Sequence, residues 1–272
     1  MVVVAFTAGI LGAAVGSFLN VVAYRVPLRR SVISPPSACP GCGSPIRARD
    51  NVPVISWLIL RGRCRDCGTT ISWRYPAVEL ATALFFLGCA FLFPIELTAG
   101  APELVASVLI LVAFLFLAAV SVVLTSIDLD TKTLPNRVLF PSYAVLIALL
   151  GAASLILGEP MALLRGAIGL LALGGLYFAL AAAVPGGMGM GDVKLAGLIG
   201  FALAWLGWAP LLVGAAAAFI LGGVFGIILI LMKRAGRKSS IPFGPWMLAG
   251  TWVGIAAGDR IGSGYLRLFG IS

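Results

Sequence analysis

The chain has 272 residues, of which 61% are hydrophobic and only 11% charged, with a formal net charge of +9. Soluble domains are about 45–50% apolar and about 25% charged, so this chain has too few polar residues to clothe a water-soluble globule, and the same figures exclude disorder. The bilayer is the solvent that suits it. Histidine is absent, which removes every imidazole base, shuttle or metal ligand and leaves catalysis to Asp, Glu, Cys, Ser, Lys or Tyr.

Apolar runs of about 18–25 residues mark helices long enough to cross a membrane. The first covers residues 2–24. It lacks the basic start of a secretory signal and runs straight into an Arg-rich stretch, so it reads as a retained span. A polar segment, 25–74, follows. Further apolar runs occupy 76–98, 103–127, 138–157, 162–184, 195–208, 211–232 and 242–257. The run at 195–208 is short for a full crossing and reads as tilted, extended or partly re-entrant. Residues 25–74 hold nine of the nineteen cations but only two acids, Asp50 and Asp66. Cytoplasmic loops carry such an excess, so this segment is expected in the cytoplasm. Eight alternating crossings then bring the loops 128–137, 185–194 and 233–238 to the same side. Sixteen of nineteen cations fall there, leaving only Arg165, Arg260 and Arg267 elsewhere. The positive charge is thus a sign of topology and not of nucleic acid binding.

In the polar segment the cysteines read Cys39-Pro-Gly-Cys42 and, after twenty-one residues, Cys64-Arg-Asp-Cys67. Two such pairs supply the four thiolates of a structural zinc site, with Gly43 and Gly68 easing a tight turn around the metal. Two disulfides or four free thiols are the alternatives, and a cytoplasmic location disfavours the disulfides. Four ligands leave no open position, so such a zinc is structural. Cys89 lies inside an apolar run and reads as a small buried residue.

Only ten acids are present, so an acid at the end of a long apolar run needs a reason. Asp128 ends the third run, in Thr125-Ser-Ile-Asp128-Leu-Asp130. Asp192 opens the sixth, in Gly187-Met-Gly189-Met-Gly191-Asp192-Val-Lys194. The topology puts both at one membrane face. Two carboxyls held close share a proton, one acting as base on a water while the other donates to a carbonyl. The plainer reading is two interfacial acids, each paired with Lys132, Lys194 or Arg137. The glycines at 186, 187, 189 and 191 bare a stretch of backbone that can lie against an extended substrate, or else serve close helix packing.

These residues carry a family resemblance. The Gly-Met-Gly191-Asp192 run resembles the glycine–x–glycine–aspartate signature of membrane aspartyl proteases. Together with Gly16-Ser-Phe-Leu-Asn20, the paired cysteines, Asn51-Val-Pro-Val-Ile-Ser56-Trp57, Ile71-Ser-Trp-Arg74-Tyr75-Pro76-Ala-Val-Glu79 and Leu134-Pro135-Asn136, it closely resembles the bacterial prepilin peptidases, or type IV leader peptidases, from about residue 12 to about 245. The resemblance implies an aspartic endopeptidase of the bacterial inner membrane. Such an enzyme cuts the basic leader from prepilins or pseudopilins after a glycine at the cytoplasmic face. Many members then methylate the new N-terminus with S-adenosylmethionine. It assigns catalysis to Asp128 and Asp192 and makes Asp130 a solvated or positioning acid. Gly189, Gly191 and Lys194 are expected to shape the substrate cleft, with Lys194 tuning Asp192. The expected architecture is an all-α polytopic membrane protein of about eight transmembrane helices with a small cytoplasmic zinc-ribbon-like insertion. Its parts are a first span (1–24), the four-cysteine insertion (25–75, ligands Cys39, Cys42, Cys64 and Cys67) and a protease core (76–272). Its partners are the bilayer and the prepilin substrates. A related intramembrane protease and a transporter are the rival readings. A transporter would place its acids near the bilayer midplane, often within inverted repeats, and no repeat is visible.

Overall fold

The computed structural model describes residues 2–183, 188–234 and 242–270. Eight long helices carry the fold: α1 (Val2–Arg25), α3 (Arg74–Leu92), α4 (Ala101–Thr131), α5 (Asn136–Ile156), α6 (Pro160–Ala183), α7 (Met190–Leu206), α8 (Trp208–Leu231) and α9 (Gly244–Leu268). A five-residue helix, α2 (Ile55–Ile59), lies in the segment between α1 and α3. Among the described residues there is no β-sheet, only two isolated bridges, Ala38–Pro45 and Arg63–Thr70. Six of the helices, α1, α3, α4, α5, α6 and α8, are long and apolar enough to cross a bilayer. Large apolar side chains such as Leu171, Leu212 and Leu231 lie about 70% exposed on their outer faces. Water would not tolerate so much exposed hydrocarbon, whereas lipid does. The chain is a multi-pass membrane protein.

Helices meet where small residues let backbones approach, as they must when lipid gives no hydrophobic drive for association. A Cβ added at Gly12 would lie 2.7 Å from the Thr82 carbonyl oxygen, and one at Gly16 would lie 2.7 Å from Glu79 Cα, so α1 seats directly on α3. Gly169 of α6 and Gly200 of α7 press backbone against backbone. Along α9, Gly250, Gly254 and Gly258 do the same against Ala218, Gly214 and Pro210 of α8.

The boundaries differ from the apolar runs for physical reasons. α7 has only 17 residues, yet every side chain from Leu195 to Trp205 is buried. A helix buried all round is a core element and not a lipid-facing one, which accounts for the short run at 195–208. Its last carbonyls, Ala204 and Trp205, are taken by the Arg165 guanidinium. α4 continues past the run that ended at 127, through Asp128 and Asp130 to Thr131, so the expected polar loop begins one turn later. At 31 residues it is about 46 Å long, more than the roughly 30 Å hydrocarbon layer, so its last turn reaches beyond the apolar slab. α3 stops at Leu92, just before Pro94. α9 runs eleven residues beyond the expected 257, because its glycine stripe keeps it docked on α8. Gly186, Gly187, Arg237 and Lys238 lie outside the described residues.

Candidate active site and metal centre

The insertion is built from two equivalent turns. Cys39 N–H donates to the Ser44 carbonyl at 2.9 Å, and Gly43 N–H returns to the Cys39 carbonyl at 2.8 Å. In the second turn Cys64 N–H donates to the Thr69 carbonyl at 2.8 Å and Gly68 N–H to the Cys64 carbonyl at 3.0 Å. Both glycines sit at φ +71°, in the left-handed region that a side chain disfavours. The four sulfurs of Cys39, Cys42, Cys64 and Cys67 lie within 4.8 Å of one another, and Cys39 Sγ is 3.7 Å from Cys67 Sγ. A tetrahedron with Zn–S bonds of about 2.3 Å has edges of about 3.8 Å, so the thiol cluster has the size zinc requires. The Thr69 hydroxyl, 3.1 Å from Cys67 Sγ, and the Thr69 backbone N–H bring that thiol down to about 6, while burial and the neighbouring thiols of Cys64 and Cys67 push Cys39 up to about 11. Cys89 stands apart, fully buried in α3.

Polar contacts hold this insertion to itself and to the bundle. Arg65 clasps Asp50 and keeps its carboxyl below the usual carboxylate range; Arg47 pairs with Asp66 at 3.0 Å. Trp57 Nε1 donates to the Ile71 carbonyl at 3.1 Å. Val54, at φ +60°, turns its N–H onto Glu79 Oε2 of α3 at 2.7 Å, which explains an acid in that apolar helix. Arg74 reaches both oxygens of Asp130 at 2.6 Å and the Ser126 carbonyl at 2.9 Å. The segment therefore ends in a clasp on the last turn of α4.

That turn carries Asp128, only 4% exposed. The helix persists through it because Lys132 adopts the left-handed conformation and closes on the Asp128 carbonyl at 2.8 Å. Asp128 Oδ2 accepts one backbone hydrogen bond, from Gly244 N–H at 3.1 Å. Asp192 occupies the first turn of α7, where Oδ2 accepts Gly189 N–H at 3.2 Å, as an acid three residues after an N-cap does. Leu134 joins the two regions. A Cβ on Gly191 would lie 3.0 Å from Leu134 Cβ, and one on Gly244 would lie 3.4 Å from Leu134 Cδ2 and 2.7 Å from Asp128 Oδ2. Leu134 thus lies between the glycine that precedes Asp192 and the glycine that binds Asp128.

Neither acid has an ion-pair partner among the described residues; the pairs there are Arg47–Asp66, Arg65–Asp50 and Arg74–Asp130. Lys194 turns to Asn136 Oδ1 at 3.0 Å, with Nζ 5.4 Å from the Phe140 ring centroid. Asp130, in place of a loop, lies on the exposed side of α4 against Arg74. Two contributors escape a reading of acids and glycine runs. Gly244 offers a backbone N–H and the absence of a side chain. Tyr177 of α6 is buried among Phe219 and Phe243, at 5.4 and 6.3 Å between ring centroids, and so backs the start of α9.

Residues 10–93 match the family model described as the bacterial peptidase A24 N-terminal domain, and residues 109–227 match the type IV leader peptidase family. A prepilin leader peptidase/N-methyltransferase of Aeromonas salmonicida is 37% identical over 280 residues, covering 93% of this chain and 90% of its own. Proteins of the same description from Bacillus subtilis and Pseudomonas aeruginosa are 34% and 33% identical, covering 95% and 96% of this chain and 96% and 93% of their own. No solved structure matches significantly.

Proposed function

This chain belongs to the type IV leader peptidase family, and from that premise we propose that it removes the leader peptide from prepilins or pseudopilins and methylates the N-terminus so exposed. The observation that carries the reading is the pair Asp128 and Asp192. They come from distant parts of the chain, lack a cation partner among the described residues, and each has one oxygen held by a glycine N–H.

Such a pair works with one carboxyl ionised and the other protonated. The ionised carboxylate takes a proton from water as its oxygen attacks the scissile carbonyl carbon. The protonated partner donates to the carbonyl oxygen. Collapse of the tetrahedral adduct breaks the C–N bond, and the leaving amine takes up a proton. Gly189 and Gly191 line the cleft with bare backbone, which suits an extended substrate and a glycine before the cut. Lys194, tied to Asn136, braces the start of α7 beside it. The Arg-rich segment 25–74 argues that this face is cytoplasmic and that the protein resides in the bacterial inner membrane.

By this reading the chain divides into a first span (1–24), a four-cysteine insertion (25–75) and a catalytic core (76–272). Zinc held by Cys39, Cys42, Cys64 and Cys67 would be structural, since four thiolates close its coordination. S-adenosylmethionine would supply the methyl group. The described residues hold no sheet of the kind that carries a glycine-rich nucleotide loop, so its site would be of another construction.

Incubating the purified protein with a model prepilin and S-adenosylmethionine, followed by mass analysis of the product, tests the reading. The expected product has lost its leader after the glycine and gained one methyl at its N-terminus. Intact prepilin after prolonged incubation would overturn it.

A further inference from the structure

The two carboxyls are held alike, but their donors have different origins. Asp192 is held by Gly189, three residues away in the same turn. Asp128 is held by Gly244, 116 residues away at the start of α9. Resting on the peptidase reading above, we propose that Gly244 is a positioning residue of the active site: its backbone N–H pins Asp128 Oδ2, leaving the second oxygen free to face water and substrate.

Three observations converge on this. The first N–H groups of a helix have no partner within the helix, so that of Gly244 is available to an outside acceptor. The carboxylate it meets is buried, where a hydrogen bond to a charged group holds an orientation far better than in water. And the position has no room for a side chain: a Cβ would stand 2.7 Å from Asp128 Oδ2 and 3.4 Å from Asp128 Cγ. The space is filled by the acid itself, not by packing atoms. The N-terminus of α9 also presents its positive dipole end to this carboxylate. Phe243, just before, is fixed by the aromatic cluster with Tyr177 and Phe219, so the donor is delivered by tertiary packing from α6 and α8.

The glycines farther along α9 are different. Gly250 approaches the backbone of Gly214 and Ala218, and no site residue. Its substitution should loosen the α8–α9 seam without touching the acid.

The experiment compares Gly244→Ala, Gly250→Ala and a backbone variant in which residue 244 is glycolic acid, so that an ester oxygen replaces the N–H with no added volume. Each is assayed for prepilin cleavage, for methylation of an already cleaved pilin and for thermal unfolding in detergent. The second activity and the unfolding midpoint report the fold independently of Asp128. Gly244→Ala keeps the N–H but drives a Cβ into Asp128 Oδ2, and the expected result is a fall in kcat for cleavage of about tenfold to a hundredfold, the scale of the hydrogen bond to a charge that the displaced carboxyl gives up. KM and methylation should stay within about twofold of the parent. The ester should lower kcat in the same direction. Gly250→Ala should lower the unfolding midpoint more than Gly244→Ala does. Cleavage by the ester variant at the parent rate overturns the proposal, even if Gly244→Ala fails to fold. So does a parallel loss of cleavage and methylation in both residue-244 variants. If the parent protein itself fails to cleave prepilin, the peptidase reading falls, which is a separate outcome.

Discussion

The insertion and the helical bundle solve the same problem of cohesion in opposite ways. The bundle holds together by removing side chains: Gly12, Gly16, Gly169, Gly200 and Gly250 let helices touch backbone to backbone. The insertion has almost no buried apolar residues, and α2 contributes only Ser56 to the interior. It relies on four thiols, two tight turns and ion pairs such as Arg65–Asp50. Lipid provides no hydrophobic drive between helices, so shape does the work there. Water surrounds a short polar segment, which cannot bury enough carbon to fold unaided, so clustered thiols of the size a zinc site needs and polar bonds serve instead. Under the proposed function the acids that do the chemistry belong to the bundle, and the insertion meets the bundle through Arg74 and Glu79.

That division can be broken by experiment. The largest effect should come from the acids: Asp128→Asn and Asp192→Asn should each lower cleavage by more than about a thousandfold, because neither member of a shared-proton pair works alone. Both variants should keep their zinc and still insert. Near-parental cleavage by either would remove that residue from the dyad. On the substrate side, replacing the glycine before the cut by a bulky residue should nearly stop cleavage in detergent. Neutralising leader Lys or Arg should slow it only a few-fold, since leader charge acts mainly through membrane orientation. The reverse ranking would mean that the cleft reads charge.

Effects that start in the insertion should be smaller on chemistry and larger on metal. Replacing Cys39 and Cys42 by Ser should take zinc from about one per chain to none and open the segment to proteolysis, while Cys89→Ser keeps the metal. Full zinc in the double variant would show a different ligand set. Smallest of all, Asp130→Asn should retain cleavage to within about threefold. Its pair with Arg74 is exposed, such pairs contribute little, and Asn still accepts one hydrogen bond. A loss approaching that of Asp128→Asn would mean that the clasp, and not only the dyad, is required.

Spans and thiols were legible because each is a local pattern: a run of carbon long enough to cross, or two Cys pairs with knuckle spacing. The fate of Asp128 was legible only in part. Its position at the end of an apolar run marked it as unusual, but whether the helix stopped there depended on Lys132 taking a left-handed turn and on Arg74 clasping Asp130 and the Ser126 carbonyl. Gly244 left no trace, since its N–H is one that every residue but proline has, and only the fold shows that Asp128 occupies the place of its side chain. Lys194 looked like a partner for Asp192 by adjacency, yet residues two apart on a helix diverge, and its amine found Asn136 across the α5–α7 contact.

Glu79 gives the molecule a seam along which it can be cut. Because its carboxylate receives Val54 N–H while its backbone lies under Gly16, α1, the four-cysteine segment and α3 behave as one interlocked cassette. A chimera with a relative should therefore exchange all three together, with the junction just after Phe93. Swapping the cysteine segment alone would make the incoming turn at position 54 meet the carboxylate of a different parent, so any mismatch in its path would leave Glu79 without its donor.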